Sequence, residues 1–251
     1  MSPIAYIPFF YFQKTRLNNL KAFVFHSAYE WVPAAGLALF CLPWASTLLE
    51  VILFYVAFIS VYEIGYLIND QQAHDEAEGR KRSDRLSGVQ VVAFVIIRLS
   101  VFLAITHQQH LWQSTLWWGW YFLLAIQFTA HNLLTLRSLK SITFSFLAFS
   151  RFLSPIVVIL PMEVMASLAL PIFLNYVLFR LFTYLDSKDL LQNFDRKSGI
   201  YYRGYYLLIL PFSILIAYTY QSWLPLAMNA YYLLIALAFG FLPSFRKTTA
   251  D

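Results

Sequence analysis

The sequence predicts an all-α, polytopic membrane bundle of about eight helices, and three observations carry that reading. Only 12% of the 251 residues are charged and 60% are apolar, with a mean hydropathy of +0.60; soluble domains carry roughly 25% charge. Apolar segments of about 20 residues, enough to cross a bilayer, recur along the chain. The basic residues are distributed unevenly between the connecting segments. With this hydropathy the net charge of +5 reads as a topology signal and not as a nucleic-acid surface. The single cysteine, Cys41, excludes an internal disulfide.

Residues 1–21 form an N-terminal segment whose apolar run, Ile4 to Phe12, is too short to span. It is expected to lie at the interface, with Lys14, Arg16 and Lys21 toward the cytoplasm. A single membrane domain is expected over residues 22–242, with a cytoplasmic tail over residues 243–251. Its spans fall at roughly 22–42, 47–69, 89–106, 111–131, 140–160, 164–185, 201–220 and 223–242. Pro43, Pro161, Pro225 and Pro243 sit near predicted ends, where a missing N–H costs least. Pro171 and Pro211 fall inside spans and are candidate kinks. With a cytoplasmic N-terminus, every Lys and Arg except the intraspan Arg98, Arg151 and Arg180 falls on the inner side. That asymmetry supports both the even helix count and the orientation.

Two stretches depart from the apolar background. From Tyr62 to Gly88 the chain leaves the second span through Asn69 and Asp70 and enters a loop with Asp75, Glu76, Glu78, Arg80, Lys81, Arg82, Asp84 and Arg85. From Phe179 to Gly199 it leaves the sixth span through Asp186 and Asp189 and continues to Asp195, Arg196 and Lys197. Most of the 13 acidic residues are concentrated here. Both stretches end helices on the predicted cytoplasmic side, where they are expected to face each other across one site. Helical spacing groups Asn175, Phe179 and Phe182 with Asp186 and Asp189, and Tyr62 and Tyr66 with Asn69 and Asp70. The expected site is a polar mouth above an aromatic cavity. Glu63, Arg98 and Arg151 lie within spans, where an ionisable side chain is either functional or one half of a structural ion pair.

The order of these elements resembles the UbiA-type intramembrane prenyltransferase superfamily, which carries one Asp-rich motif after its second helix and another after its sixth. Asn69-Asp70, the basic run Arg80 to Arg82 and Arg85 to Gly88 resemble the first motif. Asp186, Asp189 and Asp195-Arg196-Lys197-Ser198-Gly199 resemble the second, with two extra residues inserted. Ala73 and Ala77 stand where the first motif commonly has Asp.

The resemblance implies a UbiA-like bundle with a central cavity. It also implies Mg2+-dependent transfer of a prenyl group from a polyprenyl diphosphate to a lipophilic, aromatic acceptor within the lipid bilayer. Magnesium would sit on Asn69, Asp70, Asp75, Asp186, Asp189 and Asp195, since a magnesium ion needs only one or two carboxylates plus phosphate oxygens. Asp70, Asp186 and Glu63 are the expected catalytic residues. Arg180, Lys140 and Lys188 would hold the diphosphate, while Tyr62, Tyr66, Asn175, Phe179 and Phe182 would line the prenyl site, their rings favouring an allylic cation. Two alternatives stand beside this one: phosphoribosyl transfer to a polyprenyl phosphate, and a non-catalytic, lipid-binding membrane subunit, which Ala73 and Ala77 favour.

Overall fold

In the computed structural model, residues 3–74, 82–191 and 199–241 are described, and among them the regular structure is helical. The helices are α1 (Phe10–Arg16), α2 (Leu20–His26), α3 (Val32–Cys41), α4 (Trp44–Gln72), α5 (Gly88–Gln108) and α6 (Thr115–Leu133). They continue with α7 (Arg137–Leu153), α8 (Met162–Ile172), α9 (Leu178–Asp186), α10 (Gly199–Thr219) and α11 (Leu224–Phe241). A π turn over Ser27–Trp31 joins α2 to α3, and another over Phe173–Val177 joins α8 to α9. Residues 20–41 and 162–186 are therefore two continuous rods. Each apolar segment read from the sequence falls on a rod. The fifth is shorter than expected, because α7 stops at Leu153 and turns carry the chain to Met162.

The protein is a multi-pass membrane protein. Ser46–Gln72, Gly88–Gln108, Met162–Asp186 and Gly199–Thr219 are long and apolar enough to cross a bilayer. α4 is the most enclosed of these, whereas α5 and α10 bury only 22% of their most apolar windows. On α5 the exposed side chains include Val92, Ile96, Leu99 and Leu103, and on α10 Leu208, Phe212 and Leu215. Spaced three and four apart, they form apolar stripes suited to lipid. α4 packs along α5, α6 along α7 and α10 along α11. One core cluster gathers around α3, α7 to α9, α10 and α11; a second lies among α4, α5 and α6 and includes Phe12.

The π turns have identifiable partners. Pro33 has no N–H, so the Tyr29 carbonyl one turn earlier loses its helical donor. The Tyr232 hydroxyl donates to it at 2.8 Å, and the Tyr231 hydroxyl donates to the Ala28 carbonyl at 2.7 Å. In the second π turn the Tyr206 hydroxyl donates to the Asn175 carbonyl at 3.1 Å, and Tyr205 donates to that of Leu174. Two adjacent tyrosine pairs, on α10 and α11, thus satisfy backbone acceptors that bilayer interiors cannot hydrate.

Close approach is required at Gly65, where an added Cβ would run into the Phe128 ring. The missing side chain lets that ring rest directly on α4.

The N-terminal segment packs into the bundle more deeply than an interfacial segment would. Ala5, Tyr11 and Phe12 are buried. Inside the bundle, the Arg98 guanidinium donates to the carbonyls of Ala5 and Ile7 at 3.0 Å each, and to that of Tyr6. The Glu63 carboxylate accepts the Phe12 N–H at 2.7 Å and the Phe9 N–H at 3.3 Å, and pairs with Arg98 at 2.7 Å. Phe9 sits at φ 81°, a left-handed value uncommon for a bulky residue. The flanking hydrogen bonds hold the turn there.

Candidate functional site

A cavity of about 820 Å³ lies where α4, α6 and α9 end and α7 begins. The anchored N-terminal segment closes one wall with Lys14, Thr15, Arg16 and Asn18. α4 contributes Tyr62, Tyr66, Asn69, Asp70 and Gln72, and α6 contributes Phe128, His131 and Asn132. Lys140, Phe144, Leu147 and Arg151 come from α7, and Arg180, Tyr184, Ser187 and Lys188 come from α9 and the turn after it. Ala73, His26 and Arg82 complete the lining. Asn69, Asp70, Gln72, His131, Asn132, Lys140, Ser187 and Lys188 stand at or near the helix ends, Tyr62, Tyr66, Phe128 and Phe144 lie further along the helices, and Arg151 lies deeper still on α7.

The two singled-out stretches do border one cavity, but not with the groups expected. Arg180, Tyr184 and Ser187, at spacings of four and three, present one face of α9 to the cavity. Asp186 and Asp189 are absent from the lining. Asp189 is exposed at φ 56° in the turn after α9. Asn175 and Phe179 are buried elsewhere: Asn175 donates to the Pro171 carbonyl at 3.0 Å and accepts from Asn229 at 2.9 Å. Phe179 stacks on Tyr29 with centroids 5.6 Å apart, and Phe182 meets Tyr205 at 5.9 Å. Glu63 faces the N-terminal segment and not the cavity. Tyr62, Tyr66, Asn69, Asp70, Lys140, Arg180 and Lys188 are brought together; Asp75 and Asp195 lie outside the described residues.

Asp70 is only 1% exposed and both of its oxygens are engaged. Arg16 clasps it in a two-pronged pair, Nη2 to Oδ1 at 2.7 Å and Nη1 to Oδ2 at 3.0 Å. The Tyr11 hydroxyl donates to Oδ2 at 2.8 Å. Burial raises the Tyr11 pKa, and the negative charge of Asp70 raises it further. For Arg16, burial works toward a lower pKa, but its bond to Asp70 and the neighbouring charges outweigh it and raise the value. The guanidinium also lies 4.3 Å from the Tyr66 ring centroid, within cation–π range.

A second buried network lies below. Glu30, in the first π turn, has Oε2 3.0 Å from Nε of Arg151 and accepts from the hydroxyl of Tyr176, in the second π turn, at 2.7 Å. His26 Nδ1 is 3.3 Å from the same oxygen, and Arg151 Nη1 donates to the Tyr66 hydroxyl at 3.1 Å. The network ties both π turns to the cavity floor. Sequence reasoning missed Glu30, Lys14 and Arg16. The available signal for Glu30 was an acid within a span.

Magnesium does not fit the described carboxylates. Among the described residues no three of His, Cys, Asp or Glu come together as a metal site. Among the described residues Asp70 alone supplies a carboxylate to the lining, and Arg16 already occupies it. By contrast, Lys14, Arg16, Arg82, Lys140, Arg151, Arg180 and Lys188 all line the cavity. Such a surface attracts a multiply charged anion.

Beside the cavity is a groove of about 250 Å³, lined by Phe25, Phe144, Arg180, Thr183, Tyr184, Ser187 and Tyr202. Phe144, Arg180, Tyr184 and Ser187 border both spaces. Phe144 and Tyr184 are stacked with centroids 4.2 Å apart. Comparison of the chain with protein-family models, curated proteins and solved structures finds no match.

Proposed function

We propose that the chain is a UbiA-like intramembrane prenyltransferase that holds the head of a polyprenyl diphosphate in the basic cavity and transfers the prenyl group to a membrane-embedded, aromatic acceptor. One observation carries this reading: the cavity brings seven cationic side chains and the rings of Tyr62, Tyr66, Phe128, Phe144 and Tyr184 around one space. An isoprenoid diphosphate has the matching polarity. The adjoining aromatic groove offers its tail a path between Phe25, Phe144, Tyr184 and Tyr202. The basic end of the bundle is the cytoplasmic one by the charge asymmetry.

In the reaction the bond between the prenyl C1 and the diphosphate oxygen breaks, with the electron pair leaving on diphosphate. Arg180 and Lys140 stabilise that developing charge through charge-assisted hydrogen bonds. Tyr62, Tyr66 and Phe128 face the allylic carbon and favour its cationic character. A carbon of the electron-rich ring bonds to C1, and the ring then gives up its proton to the released diphosphate.

The test is diphosphate release by the purified protein supplied with a long prenyl diphosphate and a panel of aromatic acceptors. Release is expected only with an acceptor present, and its loss is expected in Arg180→Gln. The Arg16–Asp70 clasp favours a second reading, a lipid-binding subunit without catalysis. Prenyl lipid bound with no release under any acceptor would select it.

A further inference from the structure

We infer that the cavity binds the phosphate groups of its ligand directly on side-chain cations, without a divalent metal ion, and that Arg16 is the resident cation at Asn69-Asp70. This rests on the prenyl diphosphate reading and specifies how the head is held. Metal-dependent diphosphate sites use carboxylates to hold an ion, and the ion to neutralise phosphate. Here that arrangement is inverted.

The carboxylate that would hold an ion is already neutralised. Asp70 receives two guanidinium hydrogen bonds and one from Tyr11. An added cation would need to displace Arg16, whose side chain is itself 9% exposed. Displacement would leave a desolvated guanidinium without its partner. Arg151 is compensated from behind by Glu30. Among the described residues, no ion pair balances Lys14, Lys140 or Arg180. Arg180 also has a buried Nε with no hydrogen-bond partner and lies 5.1 Å from the Phe25 ring. These three cations come from the N-terminal segment, α7 and α9, on different walls of the cavity. Among the described residues Asp70 and Glu30 leave the charge balance open, and phosphate oxygens placed between the three cations complete it. An unaccompanied divalent cation meets net repulsion.

The test measures binding of geranylgeranyl diphosphate to the purified full-length chain by titration calorimetry, once in excess EDTA and once in magnesium chloride. Inorganic diphosphate and geranylgeraniol serve as separate probes of head and tail. Equal affinity in the two buffers is expected, with about tenfold weaker binding in Lys140→Gln and in Arg180→Gln, the loss of one charge-assisted contact each. Both side chains are partly exposed, so the variants retain the buried core. Binding that falls tenfold or more in EDTA overturns the inference and leaves the prenyl reading standing. Inorganic diphosphate bound equally in both buffers, with no prenyl ligand bound, supports the inference and overturns the prenyl reading. Failure of both geranylgeranyl diphosphate and inorganic diphosphate to bind overturns both.

Discussion

Replacing Arg16 by methionine isolates the interaction that distinguishes this site from a carboxylate-metal site. The substitution keeps much of the apolar stem but leaves Asp70, 1% exposed, with a hydrogen bond from Tyr11 and no countercharge. Breaking a buried pair on one side costs about 3–5 kcal/mol, because the remaining charge stays desolvated. Asp70→Leu leaves the Arg16 guanidinium, whose side chain is 9% exposed, without its countercharge and should cost a similar amount. Arg16→Met combined with Asp70→Leu removes both charges and should be more stable than Arg16→Met alone. Thermal unfolding in detergent, followed by tryptophan fluorescence, reads the order. A chain of this size shifts by roughly 2–4 °C per kcal/mol, so Arg16→Met should unfold on the order of 10 °C below wild type. A shift under about 2 °C, or single-variant effects that simply add in the double variant, would refute a coupled buried pair.

Two further outcomes follow from the packing. Arg98→Leu strips Glu63 of its partner and three backbone carbonyls of their donor. Trypsin should then cut after Lys14 and Arg16 many times faster than in wild type, and an unchanged digestion rate would count against the anchor. Gly65→Ala drives a methyl group into Phe128 and should cost about 1–3 kcal/mol. It should also weaken prenyl diphosphate binding, because Phe128 lines the cavity; unchanged melting and binding would contradict that contact.

Much of the helical framework was legible because hydropathy and helix length are local properties. The spans expected near 47–69 and 201–220 coincide with α4 and α10 to within a few residues. The π turns were not legible. An extra residue in one turn leaves hydropathy unchanged, and Pro171 alone suggested only a kink. The site was partly legible, since Tyr62, Tyr66, Asn69, Asp70, Lys140, Arg180 and Lys188 do line one cavity. Periodicity grouped Asn175, Phe179, Phe182 and Asp186 as one face, but could not tell which face of α9 borders the cavity. That face carries Arg180, Tyr184 and Ser187. Arg16 and Asp70 are 54 positions apart, and no local pattern joins them. The same distance hid Glu63, which was expected to be catalytic and instead holds the N-terminal segment.

The most direct test is photolabelling with a prenyl diphosphate that carries a diazirine near C1, followed by mass spectrometric mapping of the labelled peptides. The account predicts labels on the Tyr62–Tyr66 part of α4 and on Phe144–Leu147 of α7, displaced by unlabelled prenyl diphosphate and lost in Arg180→Gln. Labels confined to the lipid-facing stripes of α5 and α10, and insensitive to competitor, would contradict it.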